Sequence, residues 1–172
     1  MSYSNIIDDI LKREGGFVDA PSDRGKATKF GITLTTLERY RKRPCTRQDV
    51  VDLTEAEARK IYADIYCRPF DFVRDFDLRV LMIDSAVQHG MGNAVRFLQA
   101  AVGAKPDGIL GPETRKKTES TIPEYAYRRA LAERIRFYGK IITNDAKRRN
   151  RTEDQALNAH GWMNRVAEFI VP

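Results

Sequence analysis

Two acidic residues near the N-terminus have the types and the spacing for acid and base chemistry. Glu14 stands directly before Gly15-Gly16, where a run with helical spacing stops, and Asp23 follows nine positions later in a loop-like stretch. A carboxyl group in an apolar place keeps its proton near neutral pH, whereas a solvated carboxylate near cations stays ionised. Cleavage of a glycosidic bond uses one group of each kind. Glu14 is the candidate proton donor, and Asp23, beside Arg24, is the candidate for stabilising charge or orienting water.

The hydroxyl of Thr28 is the candidate for holding that water molecule. A purely structural explanation stays open, because a glutamate before two glycines often marks a solvated helix end and an aspartate often forms a turn. The stereochemical outcome is open too. Carboxyl groups roughly 6.5–9.5 Å apart invert the sugar configuration and groups roughly 5–5.5 Å apart retain it, and the loop between Glu14 and Asp23 accommodates either separation.

The elements that must position these residues begin with one short helix. Four apolar residues recur at helical spacing and predict a helix over residues 3–14 that Gly15-Gly16 ends. Residues 16–36 contain turn formers and scattered aromatic residues, which favours turns and a short hairpin. The rest of the chain has the pattern of helices almost throughout. The predicted fold class is therefore mostly α, an α+β helical domain with a small β-hairpin or loop insertion after the first helix.

Local signals place the later helices. Thr54, with Glu57 three positions on, has the pattern of a capping box and begins a run that ends before Pro69. Asp107-Gly108 is typical of a turn that sets the angle between two helices. Further helices are predicted over residues 77–89, over 94–102, from residue 112, over 123–143 and from residue 152.

Composition bounds the classes of function. The chain has 172 residues, with 30 Lys and Arg against 24 Asp and Glu, which gives a net charge of +6. A basic chain favours a polyanionic partner such as nucleic acid, a membrane surface or bacterial cell wall. Nucleic acid is disfavoured, because the basic residues are spread over all helices and mixed with acids. No stretch is apolar enough for an integral membrane segment, and the N-terminus does not have the pattern of a signal peptide.

The two cysteines and two histidines show no metal-binding pattern. Cys45 and Cys67 are too few for a disulfide framework, and with His89 and His160 they form no recognised ligand spacing. Two reduced thiols, no metal and no cofactor are expected, and a single bridge between the cysteines stays open. His89 is interpreted either as a proton carrier or as a cap for the last carbonyls of its helix.

The stretch EGGFVDAPSDRGKATKFGIT, residues 14–33, resembles the EGG(Y/F)-x-x-x-P-x-D-x-G-G-A-T-x-(Y/F)-G-I-T signature of glycoside hydrolase family 108. Members of that family are N-acetylmuramidases, commonly phage endolysins. The resemblance implies a lysozyme-like α+β fold and hydrolysis of the β-1,4 bond between N-acetylmuramic acid and N-acetylglucosamine. It also implies that Glu14 is the catalytic acid. The order Glu14, Asp23, Thr28 is similar to the triad of phage-type lysozymes.

The second half carries a further resemblance. It is similar to a segment that accompanies this family and is described as a predicted peptidoglycan-binding region. The expected organisation is one lysozyme-like domain over residues 1–172, with a catalytic segment over 1–70 and a helical lobe over 75–172. The expected partner is bacterial peptidoglycan. The resemblance rests on DSAVQHG at 84–90, DG at 107–108, GP at 111–112 and GWMNRV at 161–166.

Two aromatic residues are candidates for contacts with the sugar. Phe30 lies in the signature and Tyr62 in a predicted helix, and aromatic faces pack on sugar rings. Ordinary core packing explains them as well, since helical spacing already accounts for Tyr62.

The expected function is an N-acetylmuramidase used for bacterial lysis by a phage, held in the host cytoplasm before it reaches the periplasm and cell wall. The alternative is a non-catalytic or locally acting cell-wall module linked to secretion, because relatives have been labelled as secretion activators. Glu14 favours the enzyme, since a descendant that no longer cleaves has little reason to keep an acid there. A monomer is expected, because a large immobile polymer needs an open cleft.

Overall fold

The computed structural model describes residues 3–14, 27–147 and 152–170, and the chain is mostly α in these ranges. One small antiparallel sheet follows the first helix, which confirms the predicted fold class. Within the described ranges, no helix combines the length and the apolar character needed to cross a membrane. The chain divides into two compact units, Met1–Pro69 and Phe70–Pro172, and each is described by itself.

The first unit contains four helices and the hairpin among its described residues. The helix predicted over residues 3–14 is confirmed, and it buries Ile7 and Ile10, two of the apolar residues that predicted it. A single wide π-helical turn and a 3₁₀ turn follow the fourth helix. The elements are α1 Tyr3–Glu14, β1 Thr28–Lys29, β2 Ile32–Thr33, α2 Leu34–Arg41, α3 Arg47–Val51, α4 Glu55–Tyr62, the π-helical turn Ala63–Cys67 and the 3₁₀ turn Arg68–Phe70.

Helix α4 begins where its capping residue predicts, but the box is only half formed. The Thr54 hydroxyl accepts a hydrogen bond from the Glu57 backbone N–H at 3.2 Å. The Glu57 carboxylate instead accepts two hydrogen bonds from Arg41, each 2.8 Å long, and these bonds hold the pKa of Glu57 below its usual value. Arg41 also pairs with Asp49 at 2.7 Å. One guanidinium group therefore ties α2 to both α3 and α4.

The second unit is a cluster of five helices in its described part. Helix α6 packs against both α5 and α8, and α9 packs against α8. Leu81, Met82 and Leu98 have no exposed surface and lie in its core. The helices predicted over residues 77–89 and 123–143 are confirmed, and the second of them continues for one further turn. The elements are α5 Phe76–His89, α6 Met91–Val102, α7 Pro112–Ser120, α8 Pro123–Lys147 and α9 Thr152–Ala167.

A buried carboxylate joins three of these helices. Asp84 of α5 is 5% exposed, and its Oδ2 lies 2.7 Å from Nη1 of Arg134 of α8, which has no exposed surface. The Nε of Arg165 of α9 donates to the Oδ1 of Asp84 at 3.0 Å. Burial raises the pKa of Asp84, but the hydrogen bonds and charges of the two arginines outweigh burial and hold the pKa below its usual value. The three helices therefore share one compensated charge cluster.

The loop between α6 and α7 is held by one buried amide. Gln99 is 1% exposed, and its Nε2 donates to Asp107 at 2.8 Å and to Thr114 at 3.0 Å. Its Oε1 accepts a hydrogen bond from the Gly108 backbone N–H at 2.8 Å. The Asp107-Gly108 pair is thus part of a well-bonded turn, as its residue types predict.

Both cysteines are free thiols. Cys67 is completely buried in the first unit, and burial raises the pKa of its thiol to about 12. Cys45 is half-buried. The bridge that the sequence left open is not formed.

Candidate active site

Glu14 is the last residue of α1, as predicted. Its backbone is described and its side chain is not, and Asp23 lies outside the described residues. The predicted pairing of the two carboxyl groups therefore stays a prediction. The structure describes the helix that carries the first acid and the hairpin that follows the second.

Helix α1 is held in the first unit by one apolar face and one ion pair. Ile7 and Ile10 are buried, and α1 contacts the π-helical turn after α4. On its polar side, Asp8 lies 2.6 Å from Arg59 of α4. Because this pair is partly exposed, its contribution to stability is small, about 0–1 kcal/mol. The apolar face therefore contributes more than the ion pair to holding α1, and with it the backbone of Glu14, in the first unit.

Thr28 lies at the first position of a tight hairpin. It pairs with Thr33 in antiparallel register, and Lys29 pairs with Ile32. The two residues between the strands, Phe30 and Gly31, have φ angles of 53° and 72°. Positive φ at both central positions defines a type I′ turn, whose twist matches that of paired strands. The predicted short hairpin is confirmed, and it places Thr28 two residues before the turn.

Two helices anchor the strands of this hairpin. Thr33 is the N-cap of α2, and its hydroxyl accepts a hydrogen bond from the Thr36 backbone N–H at 3.3 Å. The Lys29 ammonium group donates to the Val51 carbonyl at the end of α3 at 2.5 Å. Helices α2 and α3 are in turn tied together through Arg41 and Asp49. The strand that carries Thr28 therefore has little freedom to move relative to these helices.

Helix α4 anchors the turn itself. The Tyr62 hydroxyl donates to the Phe30 carbonyl at 2.8 Å, and the Tyr62 side chain is buried, with 2% of its surface exposed. A left-handed backbone conformation costs a residue with a Cβ atom about 1–2 kcal/mol, so Phe30 needs such support. The structure therefore brings the two predicted sugar-contact residues together, through a hydroxyl and a backbone carbonyl. Their predicted contact with a sugar ring stays a prediction.

Sequence reasoning missed the anchors, although one of them carries a local signal. Thr33 precedes an apolar residue and stands three positions before Thr36, which is typical of an N-cap. Lys29 and Tyr62 have no such signal, because their bonds join residues 22 and 32 positions apart. Only the folded chain shows these two contacts.

His89 in the second unit is part of an aromatic cluster. Its ring lies 5.2 Å from the ring of Phe137 and 4.9 Å from that of Tyr138. Burial lowers the pKa of His89 to about 4, and the positive charge of Arg134 acts in the same direction. A histidine that is neutral throughout the physiological range is poorly suited to carry protons. Among the described residues, no group of three metal-ligating side chains lies close enough together to hold a metal ion.

The described residues thus form a helical segment, with an acid at the end of its first helix and an anchored hairpin, and a helical lobe comes after it in the chain. Residues 7–90 match the family model of glycosyl hydrolase 108. Residues 93–167 match the predicted peptidoglycan domain. Both resemblances seen in the sequence are therefore confirmed as family-model matches, in the positions predicted. The protein is a glycoside hydrolase that acts on peptidoglycan.

The fold is similar to that of a solved bacterial protein, Brucella abortus SagA. The two structures superpose with a TM-score of 0.79 at 25% sequence identity, over 97% of this chain and 90% of the other. No curated protein matches the chain.

Proposed function

We propose that the protein is an N-acetylmuramidase that cleaves the β-1,4 bond between N-acetylmuramic acid and N-acetylglucosamine, with Glu14 as the general acid. One observation carries the proposal: the acid of the matched signature is the last residue of a packed helix, and an anchored hairpin begins fourteen positions later in the same match. A glycosidase needs such an acid at a fixed place, because proton donation to the leaving oxygen depends on geometry.

The chemistry follows from three side chains. Glu14 donates its proton to the glycosidic oxygen, and the negative end of the α1 dipole favours the protonated form before the reaction. Asp23 stays ionised, and it stabilises the positive charge that develops on the sugar or orients the attacking water. Thr28 holds that water, and the anchors of the hairpin restrict its motion relative to the helices of the unit.

The proposed setting is lysis of a bacterium by a phage. The enzyme accumulates in the host cytoplasm and meets peptidoglycan after the membrane has been permeabilised. It acts as a monomer without a cofactor, and it binds no nucleic acid.

Clearing of purified murein by wild type, Glu14→Gln and Asp9→Asn tests the proposal. Asp9 is an exposed acid on the same helix, so its variant controls for the loss of one negative charge. We expect Glu14→Gln to lose about 10²–10⁴-fold in turnover, the usual contribution of general acid catalysis, with an unchanged melting temperature. Asp9→Asn should clear murein like wild type, and Asp23→Asn should lose less than Glu14→Gln.

The reducing ends of the released fragments identify the bond that is cut. Mass spectrometry should find N-acetylmuramic acid at these ends for wild type. Reducing ends in N-acetylglucosamine would show that the enzyme is a glycosidase of another specificity and not a muramidase. Activity of Glu14→Gln equal to that of wild type would show that another residue is the acid. If folded wild-type protein leaves the murein intact, the alternative function is favoured, a cell-wall module linked to secretion.

A further inference from the structure

The turn of the hairpin holds a residue that is unsuited to its conformation. Phe30 has a φ angle of 53°, in the left-handed region that bulky side chains rarely adopt. Such a residue persists only where the surrounding structure imposes the conformation, and strained residues of this kind cluster at functional sites. A hydrogen bond from outside the hairpin reaches this residue: the Tyr62 hydroxyl donates to the Phe30 carbonyl at 2.8 Å.

The surroundings of Tyr62 hold its hydroxyl group at a fixed position. Its side chain is buried at the end of α4, and its ring packs against that of Tyr66 with 5.5 Å between the ring centroids. The π-helical turn Ala63–Cys67 starts at the next residue, and single turns of this kind are frequent at functional sites. A hydroxyl on a ring locked in this way has little freedom to follow the turn. The Phe30 carbonyl must therefore adapt to the hydroxyl.

We propose that Tyr62 is a positioning residue of the muramidase reaction. Its hydroxyl holds the Phe30-Gly31 turn in the left-handed conformation, and the turn sets the place of Thr28, two residues earlier on the paired strand. In this role Tyr62 acts through the hairpin backbone. The inference rests on the proposed function, because it assigns Thr28 a part in that reaction.

The variant Tyr62→Phe removes only the hydroxyl group. With soluble glycan strands as substrate, we expect kcat to fall about 10- to 100-fold, because small displacements of a catalytic group have effects of this size. KM should change by less than about twofold, because the effect falls on the transition state and not on substrate binding. Tyr40→Phe is the matched control, since it also removes a bonded hydroxyl in the first unit, one that donates to Asp64 at 2.7 Å.

A second background separates positioning from a general loss of stability. Asparagine adopts positive φ readily, so in the Phe30→Asn background the turn no longer depends on the Tyr62 hydroxyl. Tyr62→Phe should then lower kcat by less than about threefold, and the two substitutions should show strong coupling in a double-mutant cycle. Amide hydrogen exchange at residues 28–33 should be faster in Tyr62→Phe and unchanged in Tyr40→Phe.

Three results would overturn the proposal. The first is a kcat for Tyr62→Phe equal to that of wild type. The second is that Tyr62→Phe lowers kcat by the same factor in the wild-type and in the Phe30→Asn background. If wild type shows no turnover at all, the proposed function fails, and hydrogen exchange still decides whether the hydroxyl holds the turn. Unchanged exchange in Tyr62→Phe is the third result, and it overturns the structural part regardless of activity.

Discussion

Gly108 is a position where both the backbone conformation and the neighbouring atoms disfavour a side chain. Its φ angle is 82°, and a Cβ atom built on it would lie 3.0 Å from the Arg96 guanidinium carbon and 3.1 Å from the Gly92 carbonyl oxygen. Its N–H is bonded to the buried Gln99. The residue pair Asp107-Gly108 predicts a turn from sequence alone. The buried amide that organises this turn was not predictable, since a glutamine in an apolar helical run has no signal for a loop eight or nine residues away.

Substitution of alanine at this position should destabilise the protein. We expect Gly108→Ala to lower the free energy of unfolding by about 1–3 kcal/mol, because the new methyl group meets backbone and requires a strained φ. Gly139→Ala is the control: a Cβ atom there meets nothing within 4 Å. In the interior of α8 it should raise stability by up to about 1 kcal/mol. Urea unfolding of both variants measures the two values, and a neutral Gly108→Ala would contradict the geometry.

At the scale of elements, local signals predicted where helices begin and end, but not what their side chains bind. Thr54 does begin α4, whereas Glu57, the expected second half of its capping box, pairs with Arg41 of another helix. A complete box forms instead at Thr46 and Asp49, which have the same local pattern on a helix of five residues. The Asp49 carboxylate caps its helix and pairs with Arg41 at the same time, whereas the Glu57 carboxylate pairs with Arg41 and does not cap, so the outcome depends on the folded geometry.

The charge cluster that joins α5, α8 and α9 should be the most sensitive polar element of the second unit. Asp84→Asn leaves Arg134 and Arg165 without their carboxylate in a buried place. Removal of one partner of a buried ion pair costs about 3–5 kcal/mol, and we expect a loss of this size. Asp77→Asn, on the exposed first turn of the same helix, should cost at most about 1 kcal/mol.

Urea unfolding compares these two aspartate variants directly. Equal and small effects would show that the buried cluster contributes no more than an exposed charge. The separation of α9 from α8 can be followed through Trp162, the single tryptophan of the chain, whose ring stacks on that of Tyr138 of α8.

At the scale of the whole molecule, the family boundary and the structural boundary fall at different places. The glycosyl hydrolase 108 match ends at residue 90, and the predicted peptidoglycan domain match begins at residue 93. The second compact unit begins at Phe70 and includes α5. Asp84 in the first match is bonded to Arg165 in the second. The helical lobe that contains the predicted peptidoglycan domain therefore has α5 in its core, although the sequence of α5 belongs to the glycosyl hydrolase 108 match.

Two fragments test this assignment. Residues 70–172 should unfold cooperatively on heating, because they contain the whole second unit. Residues 93–172 lack α5, which buries five apolar residues of the core and carries Asp84. This fragment should show no cooperative transition in circular dichroism. Cooperative unfolding of both fragments with similar midpoints would place the structural boundary at the family boundary instead.

The candidate site shows the same division between what a sequence predicts and what folding adds. A gapless signature of twenty residues makes Glu14 the candidate acid, and Gly15-Gly16 correctly predicted that α1 ends at that residue. Turn formers correctly predicted a hairpin around Thr28. The bonds that fix the hairpin come from Lys29 and Tyr62, which reach across the unit, and no local pattern contains that information.

The burial of Cys67 also makes the first unit easy to follow by chemistry. Thiol reagents attack the thiolate, and a completely buried thiol whose pKa is about 12 is almost entirely protonated at neutral pH. Cys45 is half-buried, and the chain has only these two cysteines. A maleimide dye therefore attaches to the native protein at one defined place. A second dye attaches only when the core around Cys67 opens. The rate of double labelling therefore measures the rate of that opening.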